Sequence, residues 1–204
     1  MPRLILADLK KLSLLKYIEK DPWIVMSYRV RELFNFPALP ASNHHIWTVK
    51  TATQVEKPRY VIVGFQTNRN NNRVRNASQF DHINLTNIKL YLNSQCYPQE
   101  NLNLNINDNK FSILYEMFAS FQVNFYGKET SEVILDKTQF RDIAPLAIFD
   151  CSKQNEALKY APVDVRLEIE TANQFPGQTS VYCLILHDRI VQYRPISGEV
   201  KNIV

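Results

Sequence analysis

Glycine, cysteine and histidine are all scarce in this sequence, and each shortage removes a class of chemistry. Only four glycines occur (Gly64, Gly127, Gly177 and Gly198), none near another. Loops that cradle phosphate need closely spaced glycines to turn several backbone N–H groups on one anion, so nucleotide binding of the P-loop or Rossmann kind is excluded. Cys96, Cys151 and Cys183 stand 55 and 32 residues apart. No C-x-x-C pair seeds a zinc site, and an odd number suits no disulfide framework, so a reducing compartment is expected. Charge is also nearly balanced: 24 basic against 20 acidic residues leave +4, too little and too dispersed to demand a nucleic acid or a membrane. No stretch approaches the roughly 18 apolar residues of a membrane span. Leu4-Ile5-Leu6-Ala7 runs into Asp8 and Lys10-Lys11, too early for a signal-peptide core. The expectation is a soluble protein inside a cell, with no membrane partner.

What is present suffices for a core. The 204 residues are 45% apolar and 22% charged, the balance of one large domain, or one domain with an appendage. Leu9, Leu12, Leu15, Tyr17 and Ile18 recur at helical spacing among Lys10, Lys11, Lys16 and Lys20, with Asp8 as a cap and Asp21-Pro22 as the stop. After Pro22 the period falls to two. Ile24, Met26, Tyr28 and Val30 alternate with Val25, Ser27, Arg29 and Arg31, and His45 to Thr51 repeats the pattern. Arg59 leads into Tyr60 to Phe65, an apolar run consistent with a strand covered on both faces. Gln66 to Asp81 is a long polar loop, His82 to Leu92 a strand, and Asn101 to Asn109 an extended irregular passage of alternating Asn and Leu or Ile. Phe111, Leu114, Tyr115, Phe118, Phe121 or Gln122, and Phe125 form a second helix ended by Gly127. Leu146 to Asp150 and Val163 to Glu170 are strands. Ser180 to Leu186 and Ile190 to Tyr193 read as a hairpin about His187-Asp188-Arg189, and Glu199 to Val204 adds an edge or a tail. The fold class is therefore mainly β: an eight-stranded jelly-roll sandwich with one N-terminal helix and one inserted helix.

Site chemistry is sparse. A cupin-like metal centre needs His-x-His, whereas His44 and His45 are adjacent and fall on opposite faces of a strand. His82 and His187 stand alone. No metal or other cofactor is expected. There is no G-x-S-x-G elbow, and Cys183 between Tyr182 and Leu184 reads as a small hydrophobe. Cys151 follows Asp150, an acidic neighbour that disfavours the thiolate. Glu168 and Glu170 sit side by side on the wet face of a strand, which makes them solvated surface rather than a glycosidase pair. Arg69, Arg73 and Arg75 in the Asn-rich loop are the candidates for contacting phosphate, without an aromatic ladder for specific nucleic-acid binding. No catalytic residue is nominated.

Longer strings carry a resemblance. Lys57 to Arg69, Asn76 to His82 with Leu85-Thr86-Asn87, Leu90 to Ser94, Asp150 to Glu156, Val163 to Glu168 and Cys183 to Arg189 are similar to double jelly-roll-like proteins, the major-capsid-like family of virus-derived or mobile elements in animal genomes. The resemblance covers roughly residues 10–204. It implies two tandem jelly rolls per subunit and trimeric association; the length of this chain matches one roll, on this resemblance the C-terminal one, with residues 1–22 as a helical connector and 23–204 as the sandwich. Leu9, Leu12 and Leu15 are then the candidate contact with the other roll or another subunit. The expected function is a non-enzymatic, capsid-like structural domain that self-associates. The rivals are a carbohydrate- or protein-binding sandwich stacking ligands on Trp23 or Trp47, and a cupin-like metalloenzyme.

Overall fold

A computed structural model describes residues 7–50, 58–69, 72–127, 133–152 and 163–203. Thr51, Asn70, Asn71 and Val204, assigned above to a strand, a loop and a tail, lie outside the described residues. Contacts divide the chain into two units, Arg31–His187, and Met1–Val30 with Asp188–Val204. In chain order the elements are α1 (Asp8–Ile18), β1 (Ile24–Phe36), β2 (His44–Lys50), β3 (Pro58–Thr67), β4 (Leu85–Leu92), β5 (Gln95–Tyr97), α2 (Ser112–Tyr126), α3 (Lys137–Ile143), β6 (Ala147–Asp150), β7 (Val165–Thr171), β8 (Thr179–Tyr193) and β9 (Val200–Asn202).

Two antiparallel sheets organise these strands. One runs β1-β8-β3-β6, with β9 also paired to β8; the other runs β2-β7-β4-β5. The chain changes sheet at every step from β1 to β8 except the tight β4–β5 hairpin, which is the interleaving of a jelly roll. The mainly β sandwich expected from the periodicity is present. Its counts differ: nine strands and three helices among the described residues, where eight and two were expected.

Alternation explains the core of the larger unit. In β7, Val165, Leu167, Ile169 and Thr171 are buried while Arg166, Glu168 and Glu170 point outward, each inward Leu or Ile contributing about 2 kcal/mol by leaving water. Ile88, Leu90 and Leu92 of β4 and Val61, Val63 and Phe65 of β3 join the same hydrophobic cluster. β4 carries an irregularity between Leu85 and Asn87. It turns Leu85 inward, against the face that strict alternation from Ile88 would give it. The other face of β3 is also covered, as its unbroken apolar run predicts: the Tyr60 ring meets Phe121 at 5.0 Å and Phe125 at 5.9 Å, both from α2.

Helical spacing and a left-handed stop define α2. Leu114, Phe118 and Gln122 are its buried positions, and Gly127 closes it at φ 62°, where a side chain is disfavoured. Gln122 occupies a core position because its Oε1 accepts the backbone N–H of Ile134 at 3.3 Å. Helix α3 was not expected, although its signal is local. Asp136 accepts the Gln139 backbone N–H at 2.8 Å, and Gln139 accepts that of Asp136 at 3.2 Å, a complete capping box. In the Asn-rich passage Leu102, Leu104 and Ile106 are buried without forming a regular strand, and Asn103 and Asn109 adopt positive φ, as Asn tolerates.

The expected hairpin about His187-Asp188-Arg189 is corrected. β8 runs unbroken from Thr179 to Tyr193. No Gly, Pro or Asn interrupts it, and His187 is buried, with Nε2 3.5 Å from Glu32 Oε2. The turn falls later, so that β8 pairs with β9 through Tyr193 opposite Val200.

The smaller unit contains α1, the first part of β1, the last part of β8 and β9. Asp8 does not cap α1; it lies inside the first turn, bonded to Lys11 at 3.1 Å, behind Ala7. Arg29 pairs with Asp188 at 3.4 Å. Asp21 Oδ1 accepts the backbone N–H groups of Ile196 (2.9 Å) and Ser197 (3.4 Å). α1 buries no residue.

Candidate functional site

Three regions gather the functional candidates. The first is the apolar surface of the smaller unit. Leu9, Leu12 and Leu15 are 83%, 58% and 60% exposed, and Leu14 and Tyr17 are exposed beside them. Helix α1 thus presents apolar side chains all round and buries none, whereas an isolated helix of 11 residues is marginal in water without tertiary packing. Val25, Met26 and Tyr28 of β1 are exposed as well. Successive strand residues face opposite ways, so this part of β1 is bare on both faces. β1 also ends its sheet, and an edge strand with uncovered apolar side chains is a template for association.

The polar loop between β3 and β4 is built differently from what its arginines suggest. Arg69, whose side chain is 8% exposed, clamps Asp81 through Nη2 to Oδ1 at 2.6 Å and Nε to Oδ2 at 3.3 Å, and donates to the Asn76 carbonyl at 2.6 Å. Asp81 also accepts the Thr67 backbone N–H at 2.7 Å. Arg75 donates to the Thr67 carbonyl at 3.2 Å. Arg73 is exposed. Of the three candidate phosphate contacts, Arg69 and Arg75 therefore hold the loop. A polar cavity of about 410 Å³ beside them is lined by Arg75, Asp81, His82, Arg141 and Asp142, among others. Burial pushes the His82 imidazolium down in pKa, and its Nδ1 accepts the Asn84 N–H at 3.1 Å.

The outward face of the β2-β7-β4 sheet is the third region. The register sets His44 opposite Glu170 and Lys89 opposite Glu168. His44 Nε2 lies 3.0 Å from Glu168 Oε1, and Tyr91 donates its hydroxyl to Glu168 Oε2 at 2.6 Å. These two bonds, Tyr91 first, hold the Glu168 carboxyl below its usual range; the same contact pushes the Tyr91 phenol up to about 12. Sequence reasoning placed His44 and His45 on opposite faces and both glutamates on the wet face. The structure agrees: His44 is exposed, while His45 is half-buried, 4.8 Å from the Phe36 ring. What the sequence could not show is that β2 and β7 are neighbours.

Cysteines and tryptophans are engaged. Cys183 is fully buried, which pushes its thiol up to about 12. The Trp23 ring already holds Arg194 at 4.4 Å and Lys201 at 4.5 Å, and Trp47 is half-buried, 5.8 Å from Phe36. An apolar cavity of about 380 Å³ lies among Tyr60, Tyr97, Met117, Phe121 and Phe149.

A family model described as the double jelly roll-like domain matches residues 1–191. No curated protein matches the chain. Among solved structures, a chain in the 3.5 Å cryo-electron microscopy structure of the Sputnik virophage superposes with a TM-score of 0.53 and 11% identity. The likeness covers 90% of the present chain and 39% of the virophage chain, so the present chain spans well under half of that chain's length. At this identity the likeness speaks to the fold.

Proposed function

The chain belongs to the double jelly roll-like domain family, and from that premise we propose that it is a structural, capsid-like building block without enzymatic activity that associates with copies of itself. The observation that carries this reading is the bare apolar surface of the smaller unit. Leu9, Leu12, Leu15, Val25, Met26 and Tyr28 are exposed on a helix and an edge strand that bury nothing of their own there. Burial of apolar and aromatic side chains is what drives stable association of protein surfaces. Residues 1–22 act as a helical connector, and the partner it docks on is another jelly roll, in a second copy or in a tandem domain; by family resemblance the assembly is a trimer.

Light scattering on the full chain after size exclusion tests this. A discrete oligomer is expected, and substituting Leu9→Glu, Leu12→Glu and Leu15→Glu together is expected to shift it to monomer with an unchanged β signature in circular dichroism. A wild-type chain that stays monomeric at high concentration overturns the self-association.

A further inference from the structure

We propose that His44, Glu168 and Glu170 bind one divalent transition-metal cation, zinc being the best match, on the outward face of the β2-β7-β4 sheet. The ligand atoms of the three side chains all lie within 4.8 Å of one another. A tetrahedral metal with bonds of about 2.0–2.2 Å holds its ligands roughly 3.3–3.6 Å apart, so the trio closes on a cation by side-chain rotations that move ligand atoms by about 1 Å. Antiparallel register puts them there. Glu168 and Glu170 are two apart on β7 and share a face, and His44 is the cross-strand partner of Glu170.

Each carboxylate is already oriented by a second residue. Tyr91 donates to Oε2 of Glu168 at 2.6 Å, leaving Oε1 directed at His44. Asn87 Nδ2 lies 3.4 Å from Oε2 of Glu170. Asn87 is itself pinned, accepting the Leu102 backbone N–H at 3.1 Å and donating to Asn101 at 3.3 Å. Outer-shell donors of this kind fix the direction of metal-binding oxygens. The position of His44 is held by Ser42, whose Oγ accepts the His44 N–H at 3.1 Å and donates to the His44 carbonyl at 2.9 Å.

Charge and donor type select the ion. Two carboxylates face one imidazole, so a single ring nitrogen leaves negative charge that a divalent cation offsets. An imidazole nitrogen favours borderline metals such as zinc or cobalt over magnesium and calcium, which prefer all-oxygen sites. Lys89, opposite Glu168, opposes a cation and keeps the affinity modest.

Calorimetric titration of the metal-free full chain with zinc chloride, and cobalt chloride titration followed by visible absorption, test the site. One equivalent is expected to bind, at least tenfold more tightly than magnesium or calcium. H44A and E170Q are each expected to weaken zinc at least tenfold, and Y91F about tenfold, with the β signature in circular dichroism retained. K89M is expected to tighten it. C96S, which removes a half-exposed thiol on the adjacent strand, is expected to bind as the wild type does. Absence of saturable binding below millimolar zinc, retention of it in H44A and E170Q, or its loss in C96S overturns the proposal.

Discussion

Replacing Arg69 by alanine separates a loop clamp from a phosphate contact. Its guanidinium makes three donor contacts, at 2.6 and 3.3 Å to Asp81 and 2.6 Å to the Asn76 carbonyl, and its side chain is 8% exposed against 28% for Asp81. Breaking a fully buried ion pair costs about 3–5 kcal/mol, while an exposed one is worth under about 1. Partial exposure of Asp81 places this pair between, so Arg69→Ala is expected to cost about 2–3 kcal/mol. Asp81→Ala also orphans the Thr67 N–H and is expected to cost as much or more. The double variant should fall short of the sum by about 1–2 kcal/mol, the coupling of two groups in one network. For a chain of this length that is a fall of roughly 5–10 °C in thermal midpoint for Arg69→Ala, read by circular dichroism beside urea titration. Arg73→Ala, on an exposed side chain, should stay within about 0.5 kcal/mol of wild type. An Arg69→Ala protein as stable as Arg73→Ala would refute the clamp.

Two further outcomes follow from the core. A Cβ at Gly64 would lie 2.6 Å from the Phe80 ring and 2.7 Å from Leu146, so Gly64→Ala is expected to destabilise by about 1–3 kcal/mol through overpacking, measured by urea denaturation; a neutral result would show that Phe80 yields freely. The Cys183 thiol, pushed up to about 12 by burial, stays protonated in the fold after the unfolded thiol has begun to ionise near pH 8.5. Above that pH the folded state binds more protons than the unfolded one, so this group's contribution to stability falls as pH rises. Denaturation midpoints from pH 8 to 10 should decline more in wild type than in Cys183→Ala, and equal slopes would count against it.

The parts of the fold that were legible in the sequence share one property: their pattern is completed within a few residues. Val165 to Thr171 declares its buried face by strict alternation, and α2 declares itself by apolar spacing and Gly127. Helix α3 was equally legible through Asp136 and Gln139, and its shortness, 7 residues, hid it from a search for apolar stripes. His187-Asp188-Arg189 misled because polar triplets usually mark turns; here Glu32, far away in sequence, meets the buried imidazole. The arginines of the polar loop looked available for the same reason, since nothing nearby in sequence announces that Asp81 returns beneath Arg69.

Composition and periodicity by themselves determined that this is a mainly β chain, because burial of alternate side chains is a local contest between water and the apolar interior. The tertiary structure alone decided which strands are neighbours. Register across the β2–β7 pair, set by how the sheets interleave over a common core, brings His44 to Glu168 and Glu170 across more than a hundred residues. It also decided that the leucines of α1 are exposed among the described residues, since apolar residues at helical spacing read the same in sequence whether they face a core or water.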